Sequence, residues 1–164
     1  MVAGSIIDSI IKDKLEQITY AVYEYIEIET GLVRYIGIVN SGTIANRHMQ
    51  HTRDSWYKSG DFKIRYIQCN NQSETEAIEA HLISLYPDEQ LYNKAKKGWG
   101  INKYLPNEYE WKDLNLTYDD LIQVMKNKIY YSKSEYVNNK IVQLWIDLCN
   151  YIRKSSELQP DKIV

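Results

Sequence analysis

The chain holds two cysteines in 164 residues, Cys69 and Cys149, far apart and in different kinds of segment. A disulfide framework is thereby excluded, and the fold must stand on its own core. Prolines number three and glycines seven, and there is no internal repeat and no low-complexity tract. No apolar run approaches the length of a membrane span, and the start has neither a basic n-region nor a long apolar stretch. The expectation is a soluble cytoplasmic protein with no membrane partner. Charge of one sign is also missing: the net charge is −2 and the sequence pI about 5.9, so a general nucleic-acid coat is excluded.

That balance is local rather than uniform. Residues 31–66 carry six Arg or Lys against two acids, and residues 94–104 carry four lysines and no acid. A cationic groove is compatible with this distribution whatever the net charge. Phenylalanine occurs once, whereas there are fifteen tyrosines. Many of these are expected to fill core or interface positions with the ring buried and the hydroxyl wet.

The length suits one domain of ordinary size with an added helical layer. Ile6 to Ile18 has the apolar spacing of an amphipathic helix, assigned to residues 1–18. Thr19–Ile28 and Leu32–Val39 are β-rich and flank the Glu29-Thr30-Gly31 turn, which predicts a hairpin. A helix capped by Ser41 or Thr43 is expected through about Trp56, then a strand over Phe62–Cys69. Ser73-Glu74-Thr75-Glu76 reads as a capping box opening a helix to about Tyr86, stopped by Pro87. Residues 101–164 form a helical extension, with one helix capped by Thr117 and another from about Ser134 to Ser155. Val137, Ile141, Leu144, Trp145, Leu148 and Ile152 are expected on one face of the latter. That extension completes the core, supports a homodimer, or clamps DNA. The fold class is α+β: a small three-stranded antiparallel sheet flanked by helices, with a C-terminal helical extension.

Within this frame a few side chains have the chemistry to cut a phosphodiester. Arg47 and His51 are four apart on one helix and share a face. The guanidinium keeps its charge and its fork suits a phosphate, while the imidazole titrates near neutrality. The plainer alternative is a wet helix face with His48, His51 and Arg53 exposed. Glu79 lies mid-helix, and a single carboxylate suffices for Mg²⁺, which keeps several waters. Tyr23 and Tyr35 lie on paired strands and can project from one sheet face. A phenol is a weak base at its ordinary pKa near 10, and a nearby cation or metal would have to lower that value. A zinc site from His48, His51, His81 and Cys69 matches no common ligand spacing.

In combination these residues resemble the GIY-YIG nuclease family over residues 19–98, within an expected domain of residues 19–100. Ala21-Val22-Tyr23 stands at the first triplet, with Ala-Val in place of Gly-Ile, and Tyr35-Ile36-Gly37 matches the second. Arg47 stands at the family's helix arginine, and His51 at a position often histidine in restriction and homing members. Glu79-Ala80-His81-Leu82-Ile83 resembles the metal-binding helix, and Tyr92-Asn93 the closing Tyr-Asn. The resemblance implies hydrolysis with one Mg²⁺ or Mn²⁺ held by Glu79, and Arg47 on the phosphate. Tyr23 would take the water proton with help from His51, and Tyr35 would orient water or phosphate. Gly37 and Asn93 would shape the site. Arg53, Lys94, Lys96, Lys97 and Trp99 are expected to touch the nucleic acid, the last four as a basic run with an aromatic for stacking. DNA is the expected substrate. A module of the same fold that binds nucleic acid without turnover, or a helical adaptor driven by the C-terminal half, are the rival readings.

Overall fold

The computed structural model describes residues 3–93, 109–129 and 135–158. The element order is α1 (Ala3–Leu15), β1 (Ala21–Glu27), β2 (Val33–Val39), α2 (Ile44–His51), β3 (Phe62–Gln68), α3 (Gln72–Ser84), β4 (Lys112–Asp113), α4 (Tyr118–Ile129) and α5 (Glu135–Glu157). The class is α+β, an open antiparallel sheet flanked by helices. The sheet has four strands, in the order β2-β1-β3-β4, where three were expected. The fourth is two residues long, pairing Lys112 and Asp113 with Tyr66 and Arg65. Two residues carry no periodicity, and only the free edge of β3 defines them as strand.

Strand β1 is central and covered on both faces. Ala21, Tyr23 and Tyr25 join a core with Ile6, Ile7, Ile10, Ile11 and Leu15 of α1, and with Leu144, Leu148, Tyr151 and Ile152 of α5. Val22 and Ile26 join a second core with Ile78, Leu82 and Ile83 of α3. This alternation is the period-two geometry of a strand used on both sides. The β1–β2 register sets Tyr23 opposite Gly37 and Tyr25 opposite Tyr35, then slips at Arg34. Because of the slip, Val33 and Ile36, three apart in sequence, both reach the second core. Glu24 is fully buried and accepts from Arg65 Nε at 2.7 Å, while the Arg65 guanidinium lies 3.9 Å from the centre of the Trp111 ring.

Two boundaries and one helix face differ from expectation. Helix α2 ends at His51 rather than near Trp56. There Thr52 turns its hydroxyl onto the Met49 carbonyl, and the Asp54 N–H returns to the His51 carbonyl. Helix α3 is capped by Asn71, whose side chain accepts from Glu74 N–H, so the cap lies two residues before the Ser73 box. On α5, Trp145 is 38% exposed, while Leu144 and Leu148 carry the buried face. Thr43 and Thr117 do cap α2 and α4.

The polar tie between α1 and α2 is Asp8. Its carboxylate accepts from Tyr57 and Ser59 hydroxyls and from His48 Nε2 at 3.1 Å, and His48 Nδ1 meets Tyr25 Oη at 2.7 Å. Burial pushes the Asp8 pKa up, but the hydrogen bonds from His48, Ser59 and Tyr57 outweigh it and hold it below the ordinary value. Asp8→Ala strands three donors at once, the fully buried His48 and the partly buried Tyr57 and Ser59. The expected loss is about 3 kcal/mol, read as a fall of roughly 6–12 °C in the thermal midpoint.

Candidate active site

The elements that flank the outer edge of β2 enclose a cleft of about 480 Å³. Tyr35, Gly37, Arg47, His51, Glu79 and Asn93 all line it, joined by Trp56, Asp54, Tyr92 and Gln50. Residues from one strand, two helices, the turn after α2 and the 92–93 segment thus converge, although 58 positions separate Tyr35 from Asn93 in the chain.

The phenol pair is built by the strand register. Tyr23 and Tyr35 stack with ring centres 6.3 Å apart and planes 25° from parallel. Tyr23 is fully buried, and its phenol crosses the space that a Gly37 side chain would fill. Burial raises the Tyr23 pKa well above the ordinary phenol value, and Tyr35 adds to the rise while Arg47 opposes it. Burial likewise raises Tyr35, again against the pull of Arg47. Both phenols are therefore shifted up, not down as expected beside a cation, because burial outweighs the pull of Arg47.

The Tyr23 phenol does have a hydrogen-bonded partner. Tyr23 Oη lies 2.7 Å from His51 Nε2, and His51 Nδ1 lies 2.8 Å from Asp54 Oδ2. His48 and His51 are both buried rather than solvated, at 0% and 3% exposure. Burial lowers the His51 pKa; Asp54 works against that and Arg47 with it. A neutral imidazole, able to accept a proton, is the form these surroundings favour.

Arg47 lies in the field of both phenols, donates from Nη1 to Gln50 Oε1 at 2.6 Å, and forms no ion pair among the described residues. Its Nε is buried with no hydrogen-bond partner. A buried, unmet donor on a permanent cation facing a cleft suits an anion. Burial raises the Glu79 pKa to about 7, with Glu76 adding and Arg47 subtracting. Arg47 compensates this carboxylate only in part, and a divalent cation would provide the remaining positive charge. Among the described residues no group of three or more His, Cys, Asp or Glu could hold a metal. The donor set still fits Mg²⁺ or Mn²⁺, because one carboxylate with waters and a phosphate oxygen completes such a shell.

Asn93 closes the site by pairing with the edge of β2. Its amide accepts from Ile36 N–H at 3.1 Å and donates to Ile36 carbonyl at 2.6 Å, while Tyr92 N–H bonds the Arg34 carbonyl. This holds the backbone between Tyr35 and Gly37 from the outside. Sequence reasoning missed Asp54 and Trp56. Trp56 stacks on Tyr35 at 5.1 Å and on Tyr92 at 5.9 Å, and Arg34 covers Tyr92. The helix boundary at His51 was the missing signal, since both residues reach the site only because α2 stops there. Arg53 is exposed and does not line the cleft. Lys94, Lys96, Lys97 and Trp99 lie outside the described residues.

No family model, no curated protein and no solved structure matches this chain. No helix among the described residues is long and apolar enough to cross a membrane.

Proposed function

We propose that this chain is a metal-dependent endonuclease of the GIY-YIG type, hydrolysing phosphodiester bonds in DNA. The observation that carries the reading is the convergence of Tyr35, Arg47, His51, Glu79 and Asn93 on one cleft, with the Tyr23 phenol behind Gly37. Glu79 is the residue that would hold Mg²⁺ or Mn²⁺. The bound metal supplies Lewis-acid stabilisation of the phosphate and leaving oxygen. Arg47 neutralises the non-bridging phosphate oxygens, a fixed charge in a partly dry site. Tyr35, half-buried at the cleft wall, orients the water or the phosphate.

Tyr23 acts as a relay and not as a phenolate. Tyr23 is fully buried and does not itself line the cleft, so the attacking water must reach its oxygen past Gly37; there the oxygen takes the water proton while its own proton passes to His51 Nε2, leaving phenol and imidazolium. The raised phenol pKa is then no obstacle, because no free phenolate forms. The water oxygen bonds phosphorus, and the bond to the leaving oxygen breaks.

Cleavage of supercoiled plasmid with Mg²⁺ tests the reading. The wild-type protein is expected to relax or linearise the plasmid, and Arg47→Ala to lose on the order of 10²–10³-fold in rate. Binding of DNA without cutting by the wild type would favour the non-catalytic module on the same fold.

A further inference from the structure

Two histidines of α2, three residues apart, make the same kind of chain. Asp8–His48–Tyr25 and Asp54–His51–Tyr23 each place an imidazole between a carboxylate and a phenol. A carboxylate only accepts, so the ring nitrogen facing it carries the hydrogen. In a neutral ring the other nitrogen is then bare and accepts from the phenol. The two chains differ in where they lie. His48 and Tyr25 are fully buried, and Asp8 is held besides by Tyr57 and Ser59. His51 and Asp54 line the cleft, and the Asp54 side chain is 35% exposed.

We propose that Asp54 is a positioning residue for the phosphodiester reaction, holding His51 in the tautomer whose Nε2 receives the Tyr23 proton. The inference rests on the nuclease reading and names a residue outside the expected site. Asp54 reaches His51 because the chain turns immediately after α2, with the Asp54 N–H on the His51 carbonyl at 2.9 Å. Backbone and side chain of one residue therefore grip both ends of His51. Without the carboxylate, the ring is free to place its hydrogen on Nε2, where it opposes the Tyr23 hydroxyl. Asp54 also stabilises the imidazolium that forms when the proton arrives. The other groups around the ring do not choose a tautomer: Tyr25 and Tyr35 present ring faces or edges from β1 and β2, Trp56 packs beside it, and Arg47 and His48 act only through charge.

The test uses the full chain and two readouts. Nitrogen NMR of the His51 imidazole, without metal or DNA, reports the tautomer. The wild type is expected to carry hydrogen on Nδ1 and Asp54→Asn to shift hydrogen to Nε2. Plasmid cleavage is expected to fall about 10²-fold in Asp54→Asn. Asp54→Glu is expected to recover most of that loss. On a His51→Gln background, Asp54→Asn is expected to cost nothing further, since the two act as one unit. A wild-type ring with hydrogen on Nε2, or an unchanged tautomer in Asp54→Asn, overturns the proposal. So does an Asp54→Asn loss that persists in full on the His51→Gln background. A wild type that cuts nothing removes the nuclease reading and the role of Asp54 with it, while the NMR result still decides whether the carboxylate sets the ring.

Discussion

Glu79→Gln is expected to abolish cleavage and, at the same time, to make the metal-free protein more stable. The loss follows from removing the only carboxylate assigned to the metal. A metal that stabilises the leaving oxygen contributes several kcal/mol, so the rate should fall on the order of 10³-fold or more. The gain follows from the raised pKa. In the folded chain Glu79 titrates at about 7 against an ordinary 4.5, so the native state holds a proton that the unfolded state has released. Stability then falls as pH rises between those values and stays low above pH 7, where folding keeps a charge in a partly dry cleft. Glutamine removes that charge. A rise of roughly 2–5 °C in the thermal midpoint is expected above neutrality, with no gain in acid below the ordinary Glu pKa. Adding Mg²⁺ should stabilise the wild type and leave Glu79→Gln unmoved. Because proton and metal compete for the carboxylate, the acid limb of cleavage should lie near pH 7 at low Mg²⁺ and move down as Mg²⁺ rises. Differential scanning calorimetry across pH, with cleavage rates on the same samples, checks both halves.

Gly37→Ala should damage fold and site together. A Cβ at Gly37 would lie 2.5 Å from Cζ and Oη of Tyr23 and 2.9 Å from Tyr35 Cε1. These are ring atoms in a packed wall, and Tyr23 has no solvent to retreat into. It is wedged between Tyr25, Tyr35 and His51, with ring centres 5.7–6.3 Å away. One added methyl should therefore cost about 2 kcal/mol through overpacking. The phenol should also shift from His51 Nε2, and a misplacement on the order of 1 Å costs about 10²-fold in rate. Denaturant titration gives the first quantity and plasmid cleavage the second. A Gly37→Ala protein as stable and as active as the wild type would show that the phenol is not held where the close approach places it.

The local elements were legible because their signals are local. Apolar spacing marked α1, the Ser73 capping box and Pro87 marked α3, β-branched and tyrosine content marked the hairpin, and threonine marked two helix starts. Arg47 and His51 could be placed on one face from spacing alone. What escaped depends on contacts between distant segments. Nothing near Asp54 announces that it will bond His51, since that requires α2 to stop one turn early. Burial of His48 depends on Asp8, forty residues upstream, and an Asp-His-Tyr chain across α1, α2 and β1 has no spacing rule. The site residues themselves were legible mainly as a resemblance, in order along the chain, whereas Trp56 and Tyr92 enter through packing. The phenol pKa runs opposite to simple expectation, because burial outweighs the nearby guanidinium, and the relay proposed for Tyr23 rests on its His51 contact.

Crystals grown with a short DNA duplex and Mn²⁺ test the central claim most directly, through the anomalous signal of the metal. The expected result is one Mn²⁺ within about 2.2 Å of a Glu79 carboxylate oxygen, sharing its phosphate with the Arg47 guanidinium. Metal bound away from Glu79, or DNA seated on a face that leaves the Tyr35–Arg47–Glu79 cleft open, would contradict it.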